Sequence, residues 1–314
     1  MTVAIIGAGA FGTALAVAFA EHRPTLVARG EAARIIRDTR ESPRLPGVPL
    51  PATIGVSAQI PPEAGTLLLA LPAQVLRPWL AEQGDALARR VLVACGKGID
   101  IETLQGPAAI LSQVPGATPA ILTGPGFADE IARGLPTALT LACTDEKQAE
   151  ALQHTLSSPT LRLYRTTDVT GAELGGALKN VMAIACGAVM GAGLGHSARA
   201  ALMTRGFAEM RRLAVRLGAR EDTLAGLSGF GDLVLTCTSD QSRNYRYGEA
   251  LGSGRPFDPG VTVEGAPTAR AARSLAADLG LDLPVTATVA TLTEGTISVT
   301  GAMHELLNRP LKEE

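Results

Sequence analysis

One lysine, Lys179, sits in the middle of the run GAELGGALKNVMAIACGAVMGAGLG, residues 171–195, where Glu173 is the only other charged residue. At helical spacing, the residues three and four positions away are Gly175, Gly176, Met182 and Ala183. None of these pairs with an ammonium group, so a surface ion pair does not explain the lysine. The helix face around it, Ala172, Gly175, Gly176, Ala183 and Cys186, is made of small residues that leave room for a substrate. A cation in such surroundings is suited to stabilising charge on a ligand oxygen or exchanging a proton with it. The ordinary alternative is a lysine snorkelling from a helix end, and Lys179 lies mid-run instead.

Three further segments hold residues suited to binding anions. ACGKGID places Lys97 between glycines just past an expected strand, where open α/β sheets bind ligands. LTGPGFADEIARGLPTA sets Gly124, Pro125 and Gly126 before a short helix, an arrangement that presents backbone N–H groups. GLSGFGDLVLTCTSDQSRNYRYG holds Asp232 in a glycine-flanked loop, followed by Ser242, Arg243 and Asn244 in a row. Each has an ordinary reading when taken singly: a turn lysine, an Asx-turn aspartate, an exposed helix start.

The first motif in the chain is GAGAFG, Gly7–Gly12, which follows a strand-like run and opens the helical run TALAVAFA. Gly7 permits the tight turn, Gly9 lets a pyrophosphate approach the backbone, and Gly12 permits close packing of helix on strand. The helix start then offers free N–H groups and positive dipole to the phosphates. A dinucleotide site selective for NAD carries an acidic residue at the end of the second strand, but TLVARG has Arg29 there. A guanidinium at that point holds a 2′-phosphate, so NADP is expected to be accepted as well as NAD.

The elements that must position these residues change character along the chain. Thr2–Ile6, Thr25–Ala28, Thr66–Leu71, Val91–Cys95, Ala120–Thr123, Thr137–Ala142 and Leu161–Tyr164 read as buried strands. Helical stretches at Phe11–Glu21, Glu31–Arg40, Val75–Gln83 and Glu146–Leu156 alternate with them, which predicts a Rossmann-like, doubly wound α/β domain. From Gly171 the strand pattern stops, and helices over 171–191, 198–217, 267–279 and 285–293 predict an all-helical second domain. The expected domains are 1–178 for dinucleotide binding and 179–314 for substrate, with Lys179 at the junction.

Composition narrows the partners. The 314 residues carry a formal net charge of -2 and only 3% aromatics, which argues against nucleic acid and against an acidic membrane surface. Cys95, Cys143, Cys186 and Cys237 are far apart with no CxxC pair, and the four histidines are scattered, so neither disulfides nor a metal site is expected. The uncharged stretch Val3–Ala20 imitates a signal peptide, with Ala18-Phe19-Ala20 as its small-residue end, but it lacks a basic n-region. Gly7, Gly9 and Gly12 also weaken it as a membrane helix. A cytoplasmic protein without membrane insertion is the expectation.

Taken together and in order, GAGAFGTALA, ACGKGI, GPGFADEIARGLPTA, GAELGGALKNVMAIACG, ARAALMTRGFAEM, GFGDLVLTC and SRNYRYG resemble the bacterial-type NAD(P)-dependent glycerol-3-phosphate dehydrogenases. The resemblance runs from Gly7 to the VEG of Val263–Gly265, and the closing NRPLKEE resembles the family's tail. It implies reversible hydride transfer between NAD(P)H and dihydroxyacetone phosphate, giving sn-glycerol 3-phosphate for phospholipid synthesis. It also makes Lys179 the catalytic proton donor and acceptor.

The other roles implied are as follows. Lys97 contacts cofactor and substrate, Gly124 and Gly126 belong to the substrate pocket, and Asp232 binds a substrate hydroxyl or holds Lys179. Ser242, Arg243 and Asn244 resemble a phosphate clamp, with Arg243 also near the cofactor. Gly7, Gly9, Ala10, Phe11, Gly12, Arg29, Ala128 and Glu264 fall at cofactor positions. The sequence departs from the family pattern at Gly126, where Ser or Thr is usual, at Phe11, where Trp or Tyr is commoner, and at His196-Ser197, where Asn is customary. RESPRLPG, residues 40–47, lacks the usual asparagine and leaves a cofactor role for Arg40 open. A related 3-hydroxyacid or ketopantoate-type dehydrogenase and a non-catalytic NADP-sensing module are the alternatives. The SRN segment favours a phosphate over a carboxylate, and Lys179 is superfluous to a sensor. The assembly state stays open, a homodimer included.

Overall fold

In the computed structural model, which describes residues 2–307, eight short runs form strands. They are β1 (Val3–Ile6), β2 (Thr25–Val27), β3 (Gly55–Ser57), β4 (Thr66–Leu69), β5 (Val91–Ala94), β6 (Thr118–Thr123), β7 (Thr137–Ala142) and β8 (Leu161–Thr166). One sheet joins them in the order β3-β2-β1-β4-β5-β6-β7-β8. Neighbours run parallel except β6 and β7, which are antiparallel. At the centre, Ile5 lies beside Leu26 on one flank and Leu68 on the other. The residues of β1 and β4 are buried throughout because helices cover both faces, which is why these strands read as unbroken apolar runs.

Side chains alternate across the sheet. Val3, Ile5, Leu26 and Leu68 face one apolar layer with Leu15 and Phe19, while Ala4, Ile6, Leu67 and Leu69 face the other with Leu76 and Ile121. Helices α1 (Ala10–Ala18), α2 (Gly30–Thr39), α3 (Ala73–Gln83), α4 (Pro107–Leu111), α5 (Ala128–Ala132) and α6 (Glu146–Leu156) connect the strands. From β1 the sheet grows toward β2 and β3 on one side and toward β4 on the other. That reversal opens a crevice at the carboxyl ends of β1 and β4, where such sheets bind nucleotides.

The described residues beyond β8 hold only helices and their connections: α7 (Val169–Gly191), α8 (Gly195–Arg216), α9 (Glu221–Ala225), α10 (Asp232–Cys237), α11 (Arg243–Ser253), α12 (Gly265–Asp278), α13 (Pro284–Thr293) and α14 (Val299–Leu307). By its internal contacts the chain forms two units, Met1–Lys97 with Gly106–Glu173, and Gly98–Gln105 with Leu174–Glu314. The division falls inside α7, a few residues before the 178/179 break read from the sequence, and the short segment 98–105 groups with the helices. The NRPLKEE segment lies outside the described residues.

Strand β3 escaped the sequence reading because its three residues, GVS, carry no apolar alternation. The glycine-rich stretch read as a loop around Asp232 is a five-residue π-turn, Leu227–Gly231, that leads straight into α10 with Asp232 as its first residue. Glycine marks close backbone approach here rather than a loop: a Cβ on Gly229 would strike the Leu224 carbonyl.

Helix α7 is apolar on every side because the helical unit's core surrounds it, with Ala177, Val181, Ala183 and Cys186 wholly buried. Among the described residues it is the one helix long and apolar enough to cross a membrane, and most of it is buried inside the protein. Gly187 and Gly191 of α7 face the backbone of α11, and Gly248 and Gly252 of α11 face the backbone of α7. A Cβ on Gly187 would strike the Tyr245 carbonyl, and one on Gly248 would strike the Ile184 carbonyl. The two helices therefore pack backbone against backbone.

Two helices begin with proline and have no capping residue of their own, so carboxylates from elsewhere take their free N–H groups. Glu209 of α8 accepts from Val285 N (2.7 Å), Thr286 N (2.9 Å) and the Thr286 hydroxyl (2.9 Å) at the start of α13. Burial pushes its carboxyl pKa up, and these three bonds oppose the shift. Glu173, near the start of α7, accepts from Ala108 N (2.6 Å) in the first turn of α4. Desolvation pushes Glu173 up to about 7 from an ordinary 4.5.

Two outcomes are expected. Gly248→Ala gains about 1 kcal/mol of helix propensity. The overpacking cost is typically about 1–3 kcal/mol and is at its upper end here because carbonyl oxygens cannot rotate away. A net loss of stability in urea denaturation checks this. For Glu173, the folded protein binds a proton between pH ~4.5 and ~7 that the unfolded chain has released, so its contribution to stability falls as pH rises through that window. Relative to Glu173→Gln, the parent should lose on the order of 2 kcal/mol from pH 4.5 to 7.5. Parallel pH series of denaturation curves would show no change in the difference if the carboxyl were solvated.

Candidate active site

The glycine loop sits at the end of β1, where Gly7 takes a left-handed φ of 104°. Position 7 has no room for a side chain: a Cβ there would lie 2.6 Å from the Ala70 carbonyl oxygen at the end of β4. A Cβ on Gly12 would collide with the Gly7 carbonyl, whereas Gly9 faces open space. Helix α1 starts at Gly9 without a side-chain cap, and its first intrahelical bond comes from Thr13 N to Gly9 O (2.9 Å). The N–H groups of Ala10, Phe11 and Gly12 thus precede the helix ladder and point from a positive dipole end. An open Gly9 beneath an uncapped helix start fits a dinucleotide pyrophosphate.

Arg29 ends β2's connection as the exposed residue that caps α2, while Glu31 nearby is engaged by Arg34 at 2.6 Å. Arg40 donates one guanidinium nitrogen to the carbonyls of Pro51 (2.6 Å) and Ile54 (2.9 Å). Ser42 was not foreseen. It is wholly buried and donates its hydroxyl to the Ala8 carbonyl (3.0 Å), bracing the glycine loop from behind.

On the other side of the switch point, Lys97 follows β5 and its Nζ donates to the Gly124 carbonyl (2.9 Å) at the end of β6. Ala128 opens α5, which packs on α1 through Ala14 and Ile131, with Ala10, Phe11 and Ala128 around them. The structure therefore brings Ala128 to the helix that carries the glycine loop. A Cβ at Gly126 would sit 3.0 Å from Ile131 and 3.1 Å from Thr137, so these side chains fill the space that the family's serine or threonine needs.

In the helical unit, Lys179 from α7 meets two residues of α10. Its Nζ lies 3.0 Å from Asp232 Oδ1 and donates to the Thr236 hydroxyl at 2.7 Å, which in turn donates to Asp232 Oδ1 at 3.2 Å. Lys179 is 7% exposed and Asp232 1%. Thr236 went unnoticed in the sequence, although its i,i+4 spacing from Asp232 puts both on one helix face. The Cys237 thiol beside this group is pushed well up, first by burial and then by Cys186 next to it.

Ser242 is the cap of α11 and accepts from Tyr245 N (3.2 Å), leaving the first-turn backbone N–H groups of Arg243 and Asn244 ahead of the helix ladder. The Arg243 side chain is exposed there. Asn244 is buried, and its Oδ1 accepts from Gly265 N (2.9 Å) at the start of α12, whose cap is Glu264. One amide oxygen thus joins α11 to α12, and the amide's NH2 end keeps its donors for other partners. All four cysteines are free and buried, and no cluster of three metal-binding side chains exists among the described residues.

A pyrophosphate cradle on a doubly wound sheet and an enclosed lysine on a helical partner unit define a nicotinamide-nucleotide-linked dehydrogenase. Comparison with known proteins agrees. Residues 2–149 match the N-terminal part of the NAD-dependent glycerol-3-phosphate dehydrogenases and residues 168–304 match their C-terminal part. A glycerol-3-phosphate dehydrogenase [NAD(P)+] of Paracoccus denitrificans is 64% identical over the full length of both chains. One from Cereibacter sphaeroides is 58% identical over 99% of this chain and 100% of its own. The crystal structure of glycerol-3-phosphate dehydrogenase from Coxiella burnetii superposes with a TM-score of 0.91 at 32% identity, covering 98% and 99% of the two chains. A ketopantoate reductase from Ralstonia eutropha shares the fold at a TM-score of 0.60 and 15% identity. The chain belongs to the NAD(P)-dependent glycerol-3-phosphate dehydrogenase family.

The buried pair yields a stability prediction. Removing one partner leaves the other charge unpaired, which typically costs about 3–5 kcal/mol. Asp232→Ala should therefore lower the unfolding free energy by about 3 kcal/mol in chemical denaturation at neutral pH. A loss below about 1 kcal/mol would mean that water reaches the ammonium.

Proposed function

We propose that this chain catalyses the reversible NAD(P)H-dependent reduction of dihydroxyacetone phosphate to sn-glycerol 3-phosphate, supplying glycerophospholipid synthesis. The observation that carries the reading is the enclosed Lys179 ammonium, paired with the Asp232 carboxylate and hydrogen-bonded to the Thr236 hydroxyl inside the helical unit.

The nicotinamide, when bound, supplies or accepts the hydride. The Lys179 ammonium stabilises the negative charge that builds on the ketone oxygen and delivers its proton there. In the reverse direction the neutral amine takes that proton back. Asp232 and the Thr236 hydroxyl fix the direction of Nζ, so little reorganisation remains for the moment of reaction. Arg243 holds the substrate phosphate with the backbone donors at the start of α11, with Ser242 shaping that turn and Asn244 adding its amide. Lys97 touches both cofactor and substrate, Gly124 and Gly126 line the substrate's place, and Ala10, Phe11, Ala128 and Glu264 contact the cofactor. Arg29, exposed at the end of β2, receives the 2′-phosphate when NADPH binds. The enzyme works in the cytoplasm, which its four free thiols suit.

The direct test follows oxidation of NADH and NADPH with dihydroxyacetone phosphate, ketopantoate and 3-oxo acids in parallel. Turnover confined to the phosphorylated ketone is expected, and preference for an acid would overturn the reading. Lys179→Ala should lower kcat at least ~10²-fold with a modest change in cofactor affinity. A variant with near-parental turnover would take Lys179 out of the chemistry. Arg243→Ala should raise KM for dihydroxyacetone phosphate by orders of magnitude yet leave any turnover of unphosphorylated dihydroxyacetone unchanged, as expected when binding is lost only to phosphate. Equal losses on both substrates would count against the clamp.

A further inference from the structure

We propose that Glu173 is a positioning residue for Lys97, an inference that rests on the role of Lys97 in the reading above. The two residues are far apart in sequence but are joined by one stretch of chain. After Lys97 the chain leaves the first unit, groups with the helical unit over Gly98–Gln105, and re-enters the first unit at Gly106. Glu173 holds the point of re-entry. Its carboxylate accepts from Ala108 N at 2.6 Å and lies against Gly106, in the space that a side chain at that position would take. Helix α4 needs this partner, since Gly106 offers no capping side chain and Pro107 has no N–H.

The segment between the two ends is stiff. Asp100 Oδ1 accepts from Glu102 N (3.1 Å), Thr103 N (2.8 Å) and the Thr103 hydroxyl (3.0 Å). Asp100 N donates to the Gln105 carbonyl (2.9 Å), and Leu104 N donates to the Asp100 carbonyl (2.9 Å). Ile99 is 1% exposed, and both it and Leu104 pack into the helical unit's core. A rigid connector transmits displacement from one end to the other. Freeing the Gly106 end therefore shifts the Lys97 end, whose Nζ must keep its seat on the Gly124 carbonyl. A change of 1 Å in a contact group is enough to lose ~10²-fold in rate.

The experiment is a double-mutant cycle on the full-length enzyme with Glu173→Ala, Lys97→Ala and the double variant. It is read by steady-state kinetics with dihydroxyacetone phosphate and, independently of turnover, by NADH binding through fluorescence titration. Glu173→Ala should weaken NADH binding and raise KM for the ketone in the same pattern as Lys97→Ala, by ~10-fold or more. In the Lys97→Ala background it should add less than ~2-fold, since coupled residues are not additive. Glu173→Gln keeps a carbonyl oxygen for Ala108 N and should stay within ~3-fold of the parent on both measures. If Glu173→Ala does not accumulate as folded protein, Glu173→Asp, one methylene short of that N–H, takes its place. Additive losses, or a Gln variant as damaged as the Ala one, overturn the proposal. A parent enzyme that binds NADH but ignores dihydroxyacetone phosphate would instead refute the functional reading, and the binding cycle would still decide the role of Glu173.

Discussion

An ammonium group removed from water must find compensating charge nearby, and that requirement shapes the helical unit. Lys179 is enclosed by α7's apolar surroundings, so Asp232 and Thr236 have to reach it from one face of α10. Helix α10 therefore begins at Asp232 itself, and the π-turn before it fits the backbone of Gly229 closely under α7 at Gly175. An uncompensated cation in this position would cost several kcal/mol, a large share of the stability of any ordinary domain. The same enclosure has an electrostatic consequence: a charge removed from bulk solvent and held by two fixed partners interacts more strongly with any neighbouring charge than it would in water.

Elsewhere the fold uses one device twice. Helices α4 and α13 both begin with proline and both lack a capping side chain, and in each case a glutamate distant in sequence reaches the N–H of the helix's second residue. Glu209 ties α8 to α13 in this way, and Glu173 ties the start of α7 to α4. Both carboxyls are pushed up by desolvation, so each contact exchanges hydration of the carboxylate for charge-assisted bonds to helix ends.

Much of this architecture is legible from local pattern alone. The run TVAII announces a buried strand, Gly7 a tight turn and the lone Lys179 an enclosed charge, each within a few residues, because strand burial, turns and charge in an apolar run are local signals. The pieces that escaped depend on partners far along the chain. Ser42 looks like any loop serine until it is seen under the Ala8 carbonyl, and the bond from Gly265 N to the Asn244 oxygen, which joins α11 to α12, has no signal in the local sequence. The glycines at 226 and 229 resemble a loop although a Cβ at either would meet carbonyls of α9, and the second partner of this turn, Gly175 of α7 against Ser228 and Gly229, lies about fifty residues upstream in sequence. Three-residue β3 is held by its register with β2 and not by any apolar alternation of its own.

The crossing of α7 and α11 sets how these parts move together. Where side chains separate two helices, rotamers can change and let one helix slide. Here carbonyls rest directly on glycine Cα atoms, at Gly187 and Gly248 and again one turn on at Gly191 and Gly252. There is a single seating, like two combs meshed at the root. Lys179 on one helix and the first turn of the other therefore keep a constant separation, a built-in ruler set by backbone and not by side chains.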